Sequence, residues 1–128
     1  MPSNNNIVYT CRYHIVFCPK YRRKVLAEVI AIRLKTIIVE IVESLHGEII
    51  EIEVMEDHVH ILLGCDPQFG VHRMVKRIKG ASSKILRGEF PELKRRLPSL
   101  WTNAYFCATV GAVSLETVKK YIESQKGA

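Results

Sequence analysis

The chain has 128 residues, 48% of them hydrophobic and 25% charged, enough to bury one core but not two, and a balance that excludes a disordered chain. The formal net charge of +6 is unevenly placed: nine basic and two acidic residues between His72 and Arg96 make a local +7, and the remainder sums to −1. Such a concentration points to a polyanionic partner, a nucleic acid or a membrane surface.

No stretch combines a basic start, an apolar run and a small-residue cleavage site. The longest apolar runs are broken by charge well short of a membrane span, so the expectation is a cytoplasmic protein with no membrane partner. Cys11, Cys18, Cys65 and Cys107 stand singly in apolar or strand-like contexts with no C-x-x-C pair. They read as buried free thiols rather than a zinc site or a disulfide framework. The whole chain, 1–128, is expected to form one domain, with residues 1–6 a disordered lead-in.

Tyr9 to Phe17 is rich in aromatic and β-branched residues, with Tyr13, Ile15 and Phe17 alternating against Arg12, His14 and Val16; this predicts a half-buried first strand. Past the Pro19 to Arg23 loop, Leu26, Ile30, Leu34, Ile37, Ile38 and Ile41 recur at helical spacing, predicting a helix from about Lys24 to Leu45 that Gly47 stops. Glu48 to Val54 alternates again, and a third strand runs from His58 to Leu63 after the Met55-Glu56-Asp57 link, which implies an antiparallel hairpin. A second helix, Phe69 to about Arg87, carries most of the basic patch. Trp101 to Val110 reads as a fourth strand, and Ser114 as the N-cap of a last helix from Leu115 to about Gln125.

The order β-α-β-β-α-β-α predicts an α+β fold, a ferredoxin-like or RNA-recognition-motif-like antiparallel sheet with an additional C-terminal helix. The first and third strands then lie at the centre of the sheet. Both helices cover one face and leave the other free.

On the third strand, His58 and His60 stand at i and i+2 and project to one face while Val59 enters the core. Two imidazoles so placed can chelate a divalent cation. With Glu56 and Asp57 as the two turn residues, Met55 pairs with His58, Val54 with Val59, and Glu53 with His60, whose Cβ atoms would lie about 5 Å apart. The same register sends Ile50, Ile52, Val54, Val59, Ile61 and Leu63 to the core together. If the first strand neighbours the third, His14 joins the polar face. Nitrogen and oxygen donors together admit magnesium, manganese or zinc, with the carboxylate favouring the hard ions. On the last helix Tyr121 and Gln125 share a face at i and i+4; tyrosine is a potential covalent nucleophile and glutamine can offer a carbonyl oxygen to a metal.

Together these residues resemble the signature of single-tyrosine HUH transposases, the transposase A proteins of IS200-type insertion sequences. The matching stretches are Tyr13 to Arg23, Asp57 to Leu62, Lys76 to Gly80 with Ser82-Ser83, Trp101 through Tyr105-Phe106 to Gly111, and Tyr121-Ile122 with Gln125. The resemblance implies metal-dependent cleavage and transfer of single-stranded DNA ends: His58, His60 and Gln125 hold Mg2+, with Mn2+ as a substitute. Tyr121 attacks the phosphorus to leave a 5′-phosphotyrosine and a free 3′-hydroxyl. Glu53, Asp57 and His14 are supporting or alternative metal-site residues.

It also implies a homodimer whose C-terminal helix offers Tyr121 in trans, and a subterminal DNA hairpin as ligand, for which Arg73, Lys76, Arg77, Lys79 and Lys84 are the candidate contacts. Three other readings stay open. One is a domesticated repeat-associated nuclease with the same chemistry. A second is a metal-dependent hydrolase using water. The third is a non-catalytic single-strand-binding module, which would need aromatics where the central strands carry His14, His58 and His60.

Overall fold

The structure is a computed structural model that describes residues 3–4, 7–8, 11–111, 115–125 and 127. The elements are β1 (Ser3–Asn4), β2 (Ile7–Val8), β3 (Arg12–Phe17), α1 (Glu28–Ser44), β4 (Glu48–Met55), β5 (His58–Gly64), α2 (Val71–Glu89), α3 (Pro91–Arg96), β6 (Phe106–Thr109) and α4 (Leu115–Ser124). β1 and β2 pair antiparallel, Ser3 with Val8 and Asn4 with Ile7; residues 1, 2, 5 and 6 of the expected lead-in lie outside the described residues. Ser114, expected as an N-cap, and Tyr9, expected in the first strand, lie outside the described residues.

The main sheet has the order β4-β5-β3-β6 and is antiparallel throughout. The first and third predicted strands, now β3 and β5, are its central pair, and the α+β architecture is the expected one. Alternation decides the two faces. Ile15, Phe17, Val59, Ile61 and Leu63 are fully buried on the side covered by α1 and α2, which contribute Leu34, Ile37, Ile38 and Val42, and Met74, Val75, Ile78 and Leu86. The opposite side carries His14, His60 and Phe106, the pairing partners of Leu62, Val16 and Val16 respectively.

Helix α1 begins four residues later than its periodicity predicts. Val25 and Leu26 are buried ahead of it, and the Leu26 N–H donates to the Glu56 carbonyl at 2.9 Å, which ties this extended lead-in to the β4–β5 turn. The end of α1 follows the Schellman pattern, with the Gly47 N–H on the Val42 carbonyl and the His46 N–H on the Glu43 carbonyl. The left-handed residue is His46, at φ 61°, not the expected stop Gly47. Gly47 is required for space: a Cβ there would stand 2.9 Å from the Gly64 carbonyl oxygen and from Met74 and Val42 side-chain atoms.

The β4–β5 register is the expected one at the turn, with Met55 opposite His58, Val54 opposite Val59 and Glu53 opposite His60. Farther from the turn, an irregularity between Ile49 and Glu51 changes the alternation. Ile49 pairs with Leu63 and packs on the core, so the expected inward residue Ile50 is the extra residue of the bulge.

The predicted fourth strand is shorter than read, and its first half is anchored by side chains instead. Trp101 bridges to Pro19, packs edge-on against Phe17 with ring centroids 4.7 Å apart, and donates its indole N–H to Ser82 Oγ at 3.1 Å. Helix α3 is not among the expected elements, because its residues are also part of the charge cluster. Its signals are Pro91 in the first turn, Glu92 beside it, and Lys94, Arg95 and Arg96 in the last turn, all in accord with the helix dipole.

Ser82 is fully buried and is the acceptor for the Trp101 indole. Ser82→Ala leaves that N–H unpaired inside the core and is expected to cost about 1–3 kcal/mol, read as a lowered urea midpoint with an unchanged m-value.

Candidate functional site

His58 and His60 both emerge on the open face, and His14 meets them there from β3. His14 Nδ1 lies 3.1 Å from His60 Nε2, and the two rings stack with centroids 5.3 Å apart. Burial and then the neighbouring His14 hold the His60 pKa below its ordinary 6.5, against an opposing pull from Glu53. His60 is therefore a neutral imidazole at neutral pH, the form that binds metal ions. Glu53 and His60, with Glu51, Ile52 and Leu62, line a cavity of about 310 Å3 at this edge of the sheet.

His58 is oriented differently. Its Nδ1 is 2.9 Å from Asp57 Oδ1, so Nε2 is the nitrogen left for a metal, the arrangement in which a carboxylate fixes a ligand histidine. Asp57 is a turn residue, as its type suggests, and its second oxygen is 3.1 Å from Arg22 Nε. The sequence gives Arg22 no site role, although it stands in the Pro19 to Arg23 loop and in the matching stretch Tyr13 to Arg23. Tyr21 and Arg22 both adopt left-handed backbone, φ 59° and 49°, at a cost of about 1–3 kcal/mol each for non-glycine residues. This knuckle turns the Arg22 side chain inward, where it is 11% exposed.

Helix α4 lies on the open face against β3, with the Tyr121 ring 5.3 Å from that of Phe106. The Tyr121 hydroxyl is buried without a hydrogen-bond partner. Burial, and secondarily Cys18, pushes its pKa up to about 12, so the resting group is a neutral phenol. One turn on, Gln125 is 9% exposed, and its Oε1 is likewise buried and unpartnered. Arg22 Nη1 donates to the Ile122 carbonyl at 3.1 Å, between these two residues in sequence. Since Arg22 also holds Asp57, the end of α4 is fastened beside the turn that carries His58.

Buried polar atoms are normally paired, so an orphaned phenol and an orphaned amide carbonyl on one helix face are unusual. They suit a metal and phosphate site whose ligands come from outside the protein. By type, the donors of His58, His60 and the Gln125 carbonyl could hold a divalent cation. Among the described residues, no three of His, Cys, Asp or Glu are grouped closely enough to hold a metal ion. His14 pairs with His60, and Asp57 with His58.

On α2, Arg73, Lys76, Arg77 and Lys84 are exposed. Lys79 is not a free cation of that surface: its Nζ donates to the Thr102 and Ala104 carbonyls at 2.6 and 3.1 Å, and burial lowers its pKa. It anchors the segment before β6. Between α2 and that segment lies a cavity of about 320 Å3, lined by His72, Lys76, Ser83, Trp101, Asn103 and Tyr105 among others. Sequence reading had no signal for it, because its walls are distant in the chain. Cys18 and Cys65 are buried free thiols as expected, both pushed up to about 11 chiefly by burial. Cys11 is half-buried, and Cys107 is exposed rather than buried, on the edge strand β6 opposite Ile15.

The profile of the family described as "Transposase IS200 like" matches residues 7–125, and the chain belongs to that family, whose members are transposases of insertion sequences. It is 39% identical over 127 residues to the ISDra2 transposase TnpA of Deinococcus radiodurans, an alignment covering 98% of this chain and 91% of the relative. It is 34% identical over 119 residues to the transposase for insertion sequence element IS200 of Salmonella typhimurium, covering 91% and 78%. The solved structure of a Deinococcus radiodurans protein assigned as a transposase superposes with a TM-score of 0.89 at 36% identity over the full length of both chains. A REP-associated tyrosine transposase bound to a REP hairpin shares the fold, with a TM-score of 0.51 at 13% identity over 94% of this chain and 68% of the other. No helix among the described residues is long and apolar enough to cross a membrane.

The His60 environment has a direct readout. In metal-free protein followed by NMR, the His60 ring is expected to titrate with a midpoint below 6.5. Because the folded pKa is the depressed one, its stabilising contribution is present above 6.5 and lost as pH falls through the lower value. A midpoint at or above 6.5 contradicts the described burial.

Proposed function

We propose that the chain cuts and rejoins single-stranded DNA at insertion-sequence ends through a tyrosine ester. The observation that carries this reading is the pair of buried, unpartnered polar atoms at the end of α4, the Tyr121 hydroxyl and the carbonyl oxygen of Gln125 just past it, fastened through Arg22 beside Asp57 and His58. A water-using hydrolase has no need of a sequestered phenol.

In the proposed reaction Tyr121 Oη attacks the scissile phosphorus and forms an O–P bond. The bond from phosphorus to the 3′ oxygen breaks, and that oxygen takes a proton as the phenol loses one. The phosphate stays on Tyr121 as a 5′-phosphotyrosine, and the free 3′-hydroxyl of a second end can reverse the step. The phosphodiester energy is conserved in the ester, so joining requires no nucleotide triphosphate. His58, His60 and Gln125 would hold the divalent cation, Mg2+ or in its place Mn2+; when bound, it supplies Lewis-acid polarisation of the phosphoryl oxygens and orientation of the substrate. Asp57 keeps the His58 Nε2 available. Burial of Tyr121 keeps its phenol protonated and unreactive until substrate is in place.

The exposed basic face of α2, Arg73, Lys76, Arg77 and Lys84, is the proposed contact for a subterminal DNA hairpin, the type of ligand carried by the REP-associated relative of the same fold. The proposed assembly is a homodimer. In this structure α4 rests on its own β3; action in trans would place the same helix on the sheet of a second copy.

Tyr121→Phe is expected to abolish the denaturation-resistant adduct formed with single-stranded oligonucleotide and Mg2+ or Mn2+, with cleavage reduced at least about 1,000-fold, in the range of losses when a nucleophile is removed. Cleavage that survives the substitution overturns the tyrosine mechanism. Hairpin binding should weaken steeply with salt, and Arg77→Ala should reduce the log–log salt slope by about 1. Lys79→Ala should instead lower the melting temperature, since its ammonium is spent on two carbonyls.

A further inference from the structure

We propose that Arg22 is a positioning residue that couples the docking of α4 to the orientation of His58, so that the nucleophile and the metal site are assembled together. This builds on the tyrosine and histidine roles proposed above. The path is continuous and short. Ile122, next to Tyr121 and three residues before Gln125, presents its carbonyl to Arg22 Nη1 at 3.1 Å. Arg22 Nε meets Asp57 Oδ2 at 3.1 Å, and Asp57 Oδ1 meets His58 Nδ1 at 2.9 Å. Four groups from α4, the Lys20–Arg22 turn and the β4–β5 hairpin thus form one chain of charge-assisted contacts.

The chemistry requires arginine at this position. Its planar fork addresses a carboxylate on one side and a helix carbonyl on the other at the same time, which the point charge of lysine does less well. Ile122 lies in the last turn of α4, where its carbonyl also accepts the Gln125 N–H at 3.1 Å and the dipole is negative, so a cation is favoured there. Glu123 Oε1, 3.6 Å from Nη1, adds to the same attraction from an exposed position. A contact to DNA phosphate is the competing role for an arginine near such a site. Against it, the side chain is 11% exposed, and its inward donors already face Asp57, Ile122 and Glu123. The left-handed backbone at Tyr21 and Arg22 is an unfavourable conformation that places the guanidinium inside rather than on the surface.

The coupling predicts that a change at Arg22 is felt at both ends, at His58 and along α4. The experiment compares wild type, Arg22→Gln and Arg22→Lys in full-length protein with three readouts: amide exchange of α4 in metal-free protein, the 15N tautomer signature of His58, and Mn2+ affinity followed by electron paramagnetic resonance. For Arg22→Gln the expectation is faster exchange of the 118–124 amides, loss of the single Nδ1–H tautomer at His58, and Mn2+ binding weakened about 10–100-fold, as for lost outer partners of metal ligands. Arg22→Lys should recover the His58 signature, through its charge on Asp57, more fully than the α4 protection.

In cleavage assays Arg22→Gln should lower kcat with little change in the KM for oligonucleotide. Unchanged α4 exchange together with unchanged Mn2+ affinity overturns the proposal. So does a raised oligonucleotide KM with wild-type exchange, which would make Arg22 a DNA contact. Should Arg22→Gln fail to fold, Asp57→Asn breaks the same path one residue farther on, and faster α4 exchange in that variant is the required result. The exchange and tautomer readouts need no catalysis, so they stand apart from the Tyr121→Phe test. Loss of the tyrosine mechanism would leave them intact.

Discussion

The antiparallel pairing of β3 with β5 is the constraint from which the rest of the molecule follows. It aligns Ile15 with Ile61, Phe17 with Val59 and Tyr13 with Leu63, burying five large apolar side chains on one face, each contributing about 1.5–3 kcal/mol relative to exposure. The same pleat turns His14 and His60 to the other face, within 3.1 Å of one another. A slip of one residue would exchange the two sets, so the energy of the core also determines where the histidines stand. Folding and site construction are here one geometric event.

The outer elements use that platform in different ways. α1 and α2 complete the core and leave basic side chains of α2 on the outside, while Lys79 turns back to hold the chain that leads into β6. α4 takes the opposite face, where an apolar contact with Phe106 and the Arg22 bridge set its position. The helix brings with it two polar atoms that the protein does not satisfy. An unsatisfied buried group costs about 1–3 kcal/mol, and such a cost persists where the missing partner is supplied by something that binds. The fold thereby places an exposed basic surface and a buried phenol on opposite sides of one sheet, the division of tasks that the proposed function requires.

The electrostatics suit that division. His60 is kept neutral by burial, the condition for metal binding, and Tyr121 is kept protonated by the same cause. A phenol with a pKa of about 12 is a poor nucleophile at rest. In the proposed reaction, the charge of a bound phosphate and cation would make it a better one. Desolvation therefore favours the metal-ready form of one residue and the unreactive form of the other.

Much of this was legible in the order of residues. Alternation and helical period are local, so the strands, the long helices, the α+β order and the hairpin register around Glu53 and His60 could be read directly, and the histidine pair, Tyr121 and Gln125 stood out by spacing and by resemblance. What failed was non-local. The bulge that replaces Ile50 by Ile49, the exposure of Cys107 and the capture of Lys79 by two carbonyls depend on which strand or loop lies alongside. α3 was hidden because Glu92 and Lys94 to Arg96, the charges at its two ends, also belong to the basic patch. Arg22 had no motif of its own, and its meaning comes from Asp57 and Ile122, 35 and 100 residues away in the chain. Sequence by itself determined the elements, the polar and apolar faces and the candidate chemical groups, since these follow from periodicity and side-chain type. Only the tertiary structure decided which of those groups touch, because contact between distant residues is set by packing and backbone geometry that no local pattern encodes.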